Sequence, residues 1–463
     1  MVRLLNAFIP KRTLLLSVSE LLLTFAVLVG ITYVWMGPDA ELFLLFEQGY
    51  MKIAVFCGVF MVAMYYFDLY DSLVISSARE VHIRFIQVVG TSALLLAILY
   101  YLQPGLQLSS QILWPGIAGV AIAVICGRQV FFLLNRSEPF AERVVLLGPG
   151  SLATDLANEV KRRPELGVRI WGYVDDGTEG AAQLNGFRRL GTSDNLPNLI
   201  EQERIDRVIV TLSDRRGRLP VETLLKLKTR GTLIQDGASF YETVTGRLAL
   251  DSLRLSWLLF APGSGISRST LFYKRVSSLI LSLVALVISL PVMALIAVAI
   301  WLDSGLPIIF RQQRVGQGGQ VFTLYKFRSM KVGADTQGEF KPTTENDDRC
   351  TRVGRWLRRT RLDELPQLYN ILKGDMSFVG PRPFARDEEE DWAEQISFYR
   401  QRWLVKPGAT GWAQVHRGYC ATLEDNLEKL SYDLFYIKNM SLGLDLLILL
   451  QTAKILFLGR GAR

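Results

Sequence analysis

Apolar residues run almost unbroken through four early stretches, residues 14–36, 49–67, 85–102 and 112–134. Each is close to the roughly 20 residues that carry a helix across a bilayer, which predicts a four-helix transmembrane region over residues 1–140. Glu20, Lys52 and Arg128 fall inside or near the ends of these runs, where burial in the bundle or snorkelling is expected rather than chemistry. From residue 143 the pattern changes to short apolar strands (143–147, 207–212) alternating with amphipathic stretches (151–162, 221–228), the signature of an α/β domain. A fifth long apolar run, 272–302, has Lys274 and Arg275 at its start, Arg311 and Arg314 beyond its end, and Pro291 near its middle. Basic residues at both ends and a helix-bending proline predict a helix that enters and leaves on one side. Residues 308–310 and 321–325 read as strands around a glycine-rich hairpin loop at 316–319. The short apolar run 442–458, interrupted by Gln451 and Lys454, reads as an interfacial helix.

Loop charges set the expected topology. Arg3, Lys11 and Arg12 precede the first span, Asp39, Glu41 and Glu47 follow it, Arg79 and Arg84 lie in the second loop, and Arg136 and Arg143 follow the fourth span. The positive-inside asymmetry places both ends of the bundle, and hence the next domain, in the cytoplasm. No cleavage site is evident near the start, so a removed signal peptide is not expected. Half the residues are hydrophobic while 21% are charged, so membrane and aqueous parts must alternate. The net charge of +8 suits anionic headgroups, a polyprenyl phosphate or a nucleotide diphosphate. Nucleic acid is not an expected partner, because no basic helix, zinc finger or aromatic RNA-binding motif is present. Four scattered cysteines without a C-x-x-C, and only His82 and His416, exclude a zinc site and fit a reducing compartment.

Residues 143–153, RVVLLGPGSLA, carry a strand into Gly148-x-Gly150-x-x-Ala153, the dinucleotide fingerprint in its G-x-G-x-x-A form. Asp175 or Asp176 stands where a ribose-binding acid would be sought. The Tyr-x-x-x-Lys pair of short-chain dehydrogenases occurs only as Tyr369–Lys373, far from the fingerprint. A structural or regulatory Rossmann-like domain is therefore expected over 141–245, with a mixed connector over 246–269.

The chemistry concentrates in residues 358–383, RRTRLDELPQLYNILKGDMSFVGPRP. Leu365, Leu368, Tyr369 and Leu372 recur at helical spacing, Pro366 suits a first turn, and Gly374 stands where a C-terminal cap would fall. Asp363 and Glu364 then sit at or just before a helix N-terminus, where negative charge is favoured. Taken alone this is an ordinary acidic helix start among basic neighbours. With residues 325–330 (YKFRSM), 380–383 (GPRP) and 406–415 (KPGATGWAQV), however, the stretch strongly resembles the bacterial sugar transferases that load polyprenyl phosphate with a sugar phosphate. The resemblance covers about 270–460, and the first half is similar to the extension of the large members. The whole looks like exopolysaccharide-synthesis members, including those associated with PEP-CTERM sorting. The resemblance implies a re-entrant helix over 272–302, broken at Pro291. In that family serine commonly precedes the proline, whereas here Leu290 does, with Ser289 one position earlier.

Joining a sugar phosphate to a lipid phosphate gathers negative charge, so such a site needs cations, donors and a metal. Asp363 can act as a nucleophile on phosphorus, and Arg358, Arg359 and Arg361 are expected to keep it ionised. Glu364 could hold Mg²⁺ with Asp363 against the diphosphate, and the resemblance assigns the same roles to this dyad. Arg358, Arg382 and Lys326 are the candidate phosphate contacts, with Arg382 stiffened between Pro381 and Pro383. Asp375 either helps the metal or caps a turn, and Trp412 is read as packing.

The expected protein is an α + α/β membrane protein. It has a four-helix transmembrane bundle, a Rossmann-like cytoplasmic domain and an α+β catalytic domain over 270–463 with a re-entrant helix. It would transfer sugar 1-phosphate from a UDP-sugar to undecaprenyl phosphate at the inner-membrane face, with Mg²⁺ as cofactor. Membrane lipids, a second copy of the chain and downstream glycosyltransferases are the other admissible partners. A membrane-anchored NAD-dependent epimerase or dehydrogenase, and a non-catalytic assembly scaffold, are the alternatives.

Overall fold

The computed structural model describes residues 2–4, 7–9, 11–70, 78–136, 141–177, 184, 186–212, 219–250, 267–334, 348–417 and 422–457. Most of the connector read from the sequence, 251–266, and Cys420 lie outside them. The chain divides into two compact units, Phe8–Phe240 (with Met1–Val2) and Tyr241–Arg463 (with Arg3–Ala7).

After two short strands, β1 (Val2–Leu4) and β2 (Ala7–Ile9), the first unit opens with helices. These are α1 (Lys11–Met36), α2 (Ala40–Phe46), α3 (Gly49–Tyr66), α4 (Ala78–Leu102) and α5 (Ser110–Arg136). Their inward faces share one apolar core that includes Leu28, Phe56, Phe60, Val88, Leu96 and Val124. Two of the intramembrane charges meet: Arg128 donates to both oxygens of Glu20 (2.6 and 3.2 Å) and to the Leu69 carbonyl, while the Tyr70 hydroxyl donates to Glu20 at 2.7 Å. A fully satisfied bidentate pair of this kind ties α1 to α5 and removes the cost of unpaired charge. Lys52 instead lies 5.2 Å from the ring centroid of Phe43.

The same unit continues with β3 (Glu142–Leu147), α6 (Ser151–Arg162), β4 (Val168–Val174), β5 (Arg189–Gly191), α7 (Leu196–Glu203), β6 (Arg207–Val210), α8 (Val221–Thr229) and β7 (Leu233–Asp236). The five strands form one parallel sheet in the order β5-β4-β3-β6-β7. Val144–Leu147 and Val208–Val210 are buried, as expected for central strands covered on both faces.

The division between units falls inside helix α9 (Gly237–Thr245), ahead of the 245/246 boundary read from the sequence. The reason lies in residues 242–248, which belong to the second unit and are bonded within it. Glu242 accepts from Lys438 (2.5 Å) and Asn439 (2.8 Å), the Trp412 indole donates to the Gly246 carbonyl, and the Leu248 amide donates to the Ser431 carbonyl.

The second unit contains the 37-residue helix α10 (Arg268–Ser304) and the antiparallel hairpin β8 (Ile309–Val315) and β9 (Val321–Phe327). Helices α11 (Arg352–Thr360) and α12 (Gln367–Lys373) follow, then strand β10 (Ser377–Val379) and helix α13 (Arg386–Gln395). Strand β11 (Gly408–Thr410) and helices α14 (Trp412–His416), α15 (Leu423–Asn439) and α16 (Leu442–Phe457) complete it. Helix α10 is helical through Pro291. A proline there frees the carbonyl of Val287, and the Ser289 hydroxyl donates to the adjacent Leu286 carbonyl instead, at 3.3 Å. Residues on both sides of the proline pack on this one unit: Ala285 and Leu286 against Leu324 and Leu368, Ile296 and Ile300 against Phe327 and Leu357. The opposite face, with Val284, Val287, Ile288, Leu295 and Trp301, is exposed and apolar.

Among the described residues five helical stretches are long and apolar enough to cross a membrane, four in the first unit and α10 in the second. The protein is thus a membrane protein that combines apolar helices with α/β and α+β parts.

Candidate active site

The site is assembled by short contacts between α11, α12 and the hairpin. Helix α11 starts at Thr351, whose hydroxyl accepts from the Gly354 amide at 2.9 Å. Gly354 is required by proximity, since a Cβ there would collide with the backbone of Ser329. The helix ends at Arg361, a non-glycine residue with φ +59°, which turns the chain into the 3₁₀ turn Leu362–Glu364. Asp363 and Glu364 therefore precede α12, and Gly374, at φ +101°, caps its end. The last carbonyls of α12 find basic partners: Arg275 donates to those of Ile371 and Leu372, and Lys406 to that of Gly374.

The fully buried Asn370 registers α12 against β9, accepting from the Tyr325 amide (3.1 Å) and donating to the Thr323 carbonyl (2.7 Å). That register brings Lys326, the next residue on β9, to Glu364. Lys326 Nζ lies 3.2 Å and Arg382 Nη2 2.6 Å from the same oxygen, Glu364 Oε1. Asp363 is 7% exposed, and its buried Oδ1 has no hydrogen-bond partner. Arg358 donates to Cys350 Sγ at 3.3 Å and acts on Asp363 through its field.

The two neighbouring carboxyls are driven apart. Burial raises the Asp363 pKa above the usual carboxylate range; Lys326 pulls it back, and Glu364 pushes it further up. The sequence expectation that the arginines govern this group is corrected on that point, because desolvation outweighs Arg358 and Arg382. Burial would raise Glu364 as well, but Arg382 and then Lys326 override it and hold that carboxylate well below its ordinary value. Lys326 itself is lowered by burial, against the pull of Glu364.

Asp375 stands apart from this group. Its carboxylate accepts from Lys373 (3.0 Å) and Asn370 (3.3 Å), so it fastens the end of α12. Trp412 packs against Phe435 and His416. Local sequence patterning gave no sign of Arg402, and it marked Lys274 and Arg314 only as basic flanks of an apolar run; Asn370 was not singled out. The only hint of it was a polar side chain in the apolar run of α12, which is how a buried hydrogen-bonding residue looks in one dimension. Among the described residues no group of three or more histidines, cysteines or acids gathers as metal ligands.

In the first unit the glycine turn after β3 packs against the residues that follow β6. A Cβ at Gly148 would meet Leu212 at 2.6 Å, and the Thr211 hydroxyl bonds the Leu147 and Gly148 carbonyls. Asp176 accepts from the Ser193 amide at 2.6 Å. Tyr369 and Lys373 belong to the second unit.

Comparison with known proteins bears on both units. The family model described as bacterial sugar transferase matches residues 269–459, and one described as a CoA-binding domain matches 65–227. The chain is 42% identical over 222 residues to a UDP-N-acetylgalactosamine-undecaprenyl-phosphate N-acetylgalactosaminephosphotransferase of Aeromonas hydrophila, covering 48% of this chain and 52% of that protein. It is 35% identical to a UDP-glucose:undecaprenyl-phosphate glucose-1-phosphate transferase of Xanthomonas campestris pv. campestris (67% of this chain, 66% of the relative). An enzyme of the same name from Escherichia coli (strain K12) is 34% identical, with 68% of each chain covered. The match thus spans about half the length of the Aeromonas relative and two thirds of the other two. On this similarity, the chain belongs to the bacterial sugar transferase family.

Proposed function

We propose that the protein transfers a sugar 1-phosphate from a UDP-sugar to undecaprenyl phosphate, releasing UMP and beginning an exopolysaccharide or similar glycan. The observation that carries this reading is the asymmetry of the dyad. Glu364 is locked to Arg382 and Lys326, while Asp363 keeps a buried, unpartnered oxygen beside the same cations. Oδ1 of Asp363 attacks the phosphorus bonded to the sugar. The bond from that phosphorus to the bridging oxygen breaks, and UMP leaves carrying the electron pair. An oxygen of undecaprenyl phosphate then attacks the aspartyl phosphosugar, the bond from phosphorus to Asp363 breaks, and the carboxylate returns. Lys326, Arg358 and Arg382 bind the phosphates and offset the charge that accumulates.

The donor set suits Mg²⁺, which takes one or two carboxylates and completes its shell with substrate phosphates and water. Glu364, kept as an anion by Arg382 and Lys326, would be the hard-oxygen donor such an ion needs, with the Asp363 carboxylate beside it and Oδ1 of Asp363 left for the attack. When bound, the ion would neutralise the diphosphate and make the leaving UMP a better leaving group.

The way α10 packs supports a re-entrant path. At 1.5 Å per residue, 37 residues span about 55 Å, well beyond the ~30 Å hydrocarbon core. Both of its ends are held by the second unit, through Lys274 and Arg275 near the start, and through Arg328 on the Ser304 and Gly305 carbonyls at the finish. A helix anchored at both ends to one domain enters and leaves the membrane on that domain's side. A cytosolic UDP-sugar places that side at the cytoplasmic face of the inner membrane, with α1, α3, α4 and α5 as the transmembrane bundle.

The test is a screen of UDP-sugars for UMP release by the full chain in nanodiscs, with and without undecaprenyl phosphate. Acceptor-dependent turnover of one UDP-sugar is expected. No UMP from any of them, or NAD-dependent oxidation of the sugar instead, contradicts the reading.

A further inference from the structure

The segment Val379–Pro383 presents Arg382 to Glu364, yet two of its five residues are prolines without an N–H to donate. Its carbonyls are held instead. Gly408 N donates to the Pro381 carbonyl at 2.9 Å, continuing the parallel pairing of β10 with β11. Besides the Tyr436 hydroxyl, which donates to the Val379 carbonyl at 3.2 Å, the other bonds to its carbonyls come from cationic side chains on three separate elements. Lys274, on α10, donates to the Val379 carbonyl at 3.1 Å; Arg402, in the 3₁₀ turn Tyr399–Leu404, to the Arg382 carbonyl at 2.7 Å; and Arg314, on β8, to the Pro383 carbonyl at 2.9 Å. Hydrogen bonds from charged donors are the strong ones, and three of them on a five-residue segment leave it little freedom.

Arg402 is the best fixed of the three. It is 4% exposed and its other two nitrogens are both engaged: Nε by Asp433 (2.9 Å), Nη1 by Glu389 (3.0 Å) and by the Tyr399 hydroxyl (2.7 Å). Trp403 donates to Glu389 as well, at 2.9 Å. Two buried acids around one arginine are a costly arrangement, poorly suited to stability alone but well suited to fixing one orientation. The orientation they fix aims Nη2 at the backbone of Arg382. Lys274 is seated in the same way by Asp445 and the Tyr436 hydroxyl, both at 2.5 Å.

We propose that Arg402, Arg314 and Lys274 form a carbonyl clamp that positions Arg382 against Glu364. They are positioning residues, acting on the reaction only through Arg382. The inference takes its kinetic readout from the transferase reading above, and a second readout stands without it.

Arg402→Lys keeps the charge between Glu389 and Asp433 but cannot reach all four partners. Arg314→Lys is the second variant, at a residue that makes no hydrogen bond to either acid, should the first be poorly folded. In the full chain in nanodiscs, hydrogen exchange of peptides covering 379–385 should rise in both variants, while exchange in β3 and β6 stays as in the wild type. For turnover with UDP-glucose, or whichever donor the UMP screen selects, kcat/KM should fall on the order of 10- to 100-fold, as expected for a displaced catalytic contact. In an Arg382→Ala background, either lysine substitution should cost nothing further. Local exchange unchanged in both variants overturns the clamp. So do losses that multiply fully with that of Arg382→Ala, since these mean that the clamp residues act independently of it. A wild-type chain that releases no UMP counts against the transferase reading, and the clamp is then decided by exchange alone.

Discussion

Adjacent in sequence, Asp363 and Glu364 differ in what surrounds them: one oxygen of Glu364 takes two cations, and an oxygen of Asp363 takes none. Opposite shifts of two neighbouring carboxyls are a recognised way to divide labour between them. If Asp363 is the nucleophile, it works only when deprotonated. A raised pKa means that activity is complete above that pKa and is lost as pH falls through it. The acid limb of kcat/KM should therefore lie above the ordinary aspartate value of about 3.9. Lys326→Met removes a charge that favours the anion, so the limb should move to higher pH, with a rate loss on the order of 10²- to 10³-fold. Glu364→Gln removes a repelling charge and should move the limb lower. A pH–rate profile unmoved by both would mean that Asp363 does not set it. At this scale the sequence exposed the dyad, Lys326 and Arg382, because long local motifs carry them. The parts played by Arg402, Arg314, Lys274 and Asn370 stayed hidden because each works on a backbone group distant in sequence, and no periodicity marks an arginine whose partner is a carbonyl.

Among the elements, α12 was legible as a helix with both its ends. Pro366 precedes it and Gly374 caps it, each a choice with a local physical reason, but of the face read from spacing Leu368 is buried while Tyr369 is exposed, and Asn370 and Ile371 are buried instead. Helix α10 was legible as an apolar run, but its extent was not. Residues 268–271 and 303–304 extend it beyond the apolar run, and at the far end Arg328 donates to the Ser304 carbonyl at 2.8 Å. Its path is open to a direct test. In a cysteine-free background, single cysteines at Ser269 and Gln313 should both resist an impermeant thiol reagent applied to intact cells. Pro291→Ala restores a backbone donor and removes a ring clash, effects on the order of 3 kcal/mol that favour a straight, crossing helix. That substitution should therefore raise labelling of one of the two positions. Labelling of either in the wild-type background means that α10 crosses.

On the scale of the whole molecule, hydropathy and the glycine fingerprint predicted the order of parts: membrane helices, parallel sheet, then the unit with the dyad. The strand order was not in the sequence, since it depends on which edge each crossover returns to. Nor was the place of residues 242–248 within the second unit, which rests on Glu242 meeting Lys438 and Asn439 almost 200 positions away. The central claim is that Asp363 carries the sugar phosphate before the lipid does. The most direct measurement is a rapid-quench assay of the full chain with its UDP-sugar and no undecaprenyl phosphate, followed by mass mapping of the protein. The account predicts up to one UMP released per chain, a phosphosugar adduct on Asp363, and neither in Asp363→Asn. No UMP until the lipid phosphate is added, or an adduct on Glu364, would contradict it.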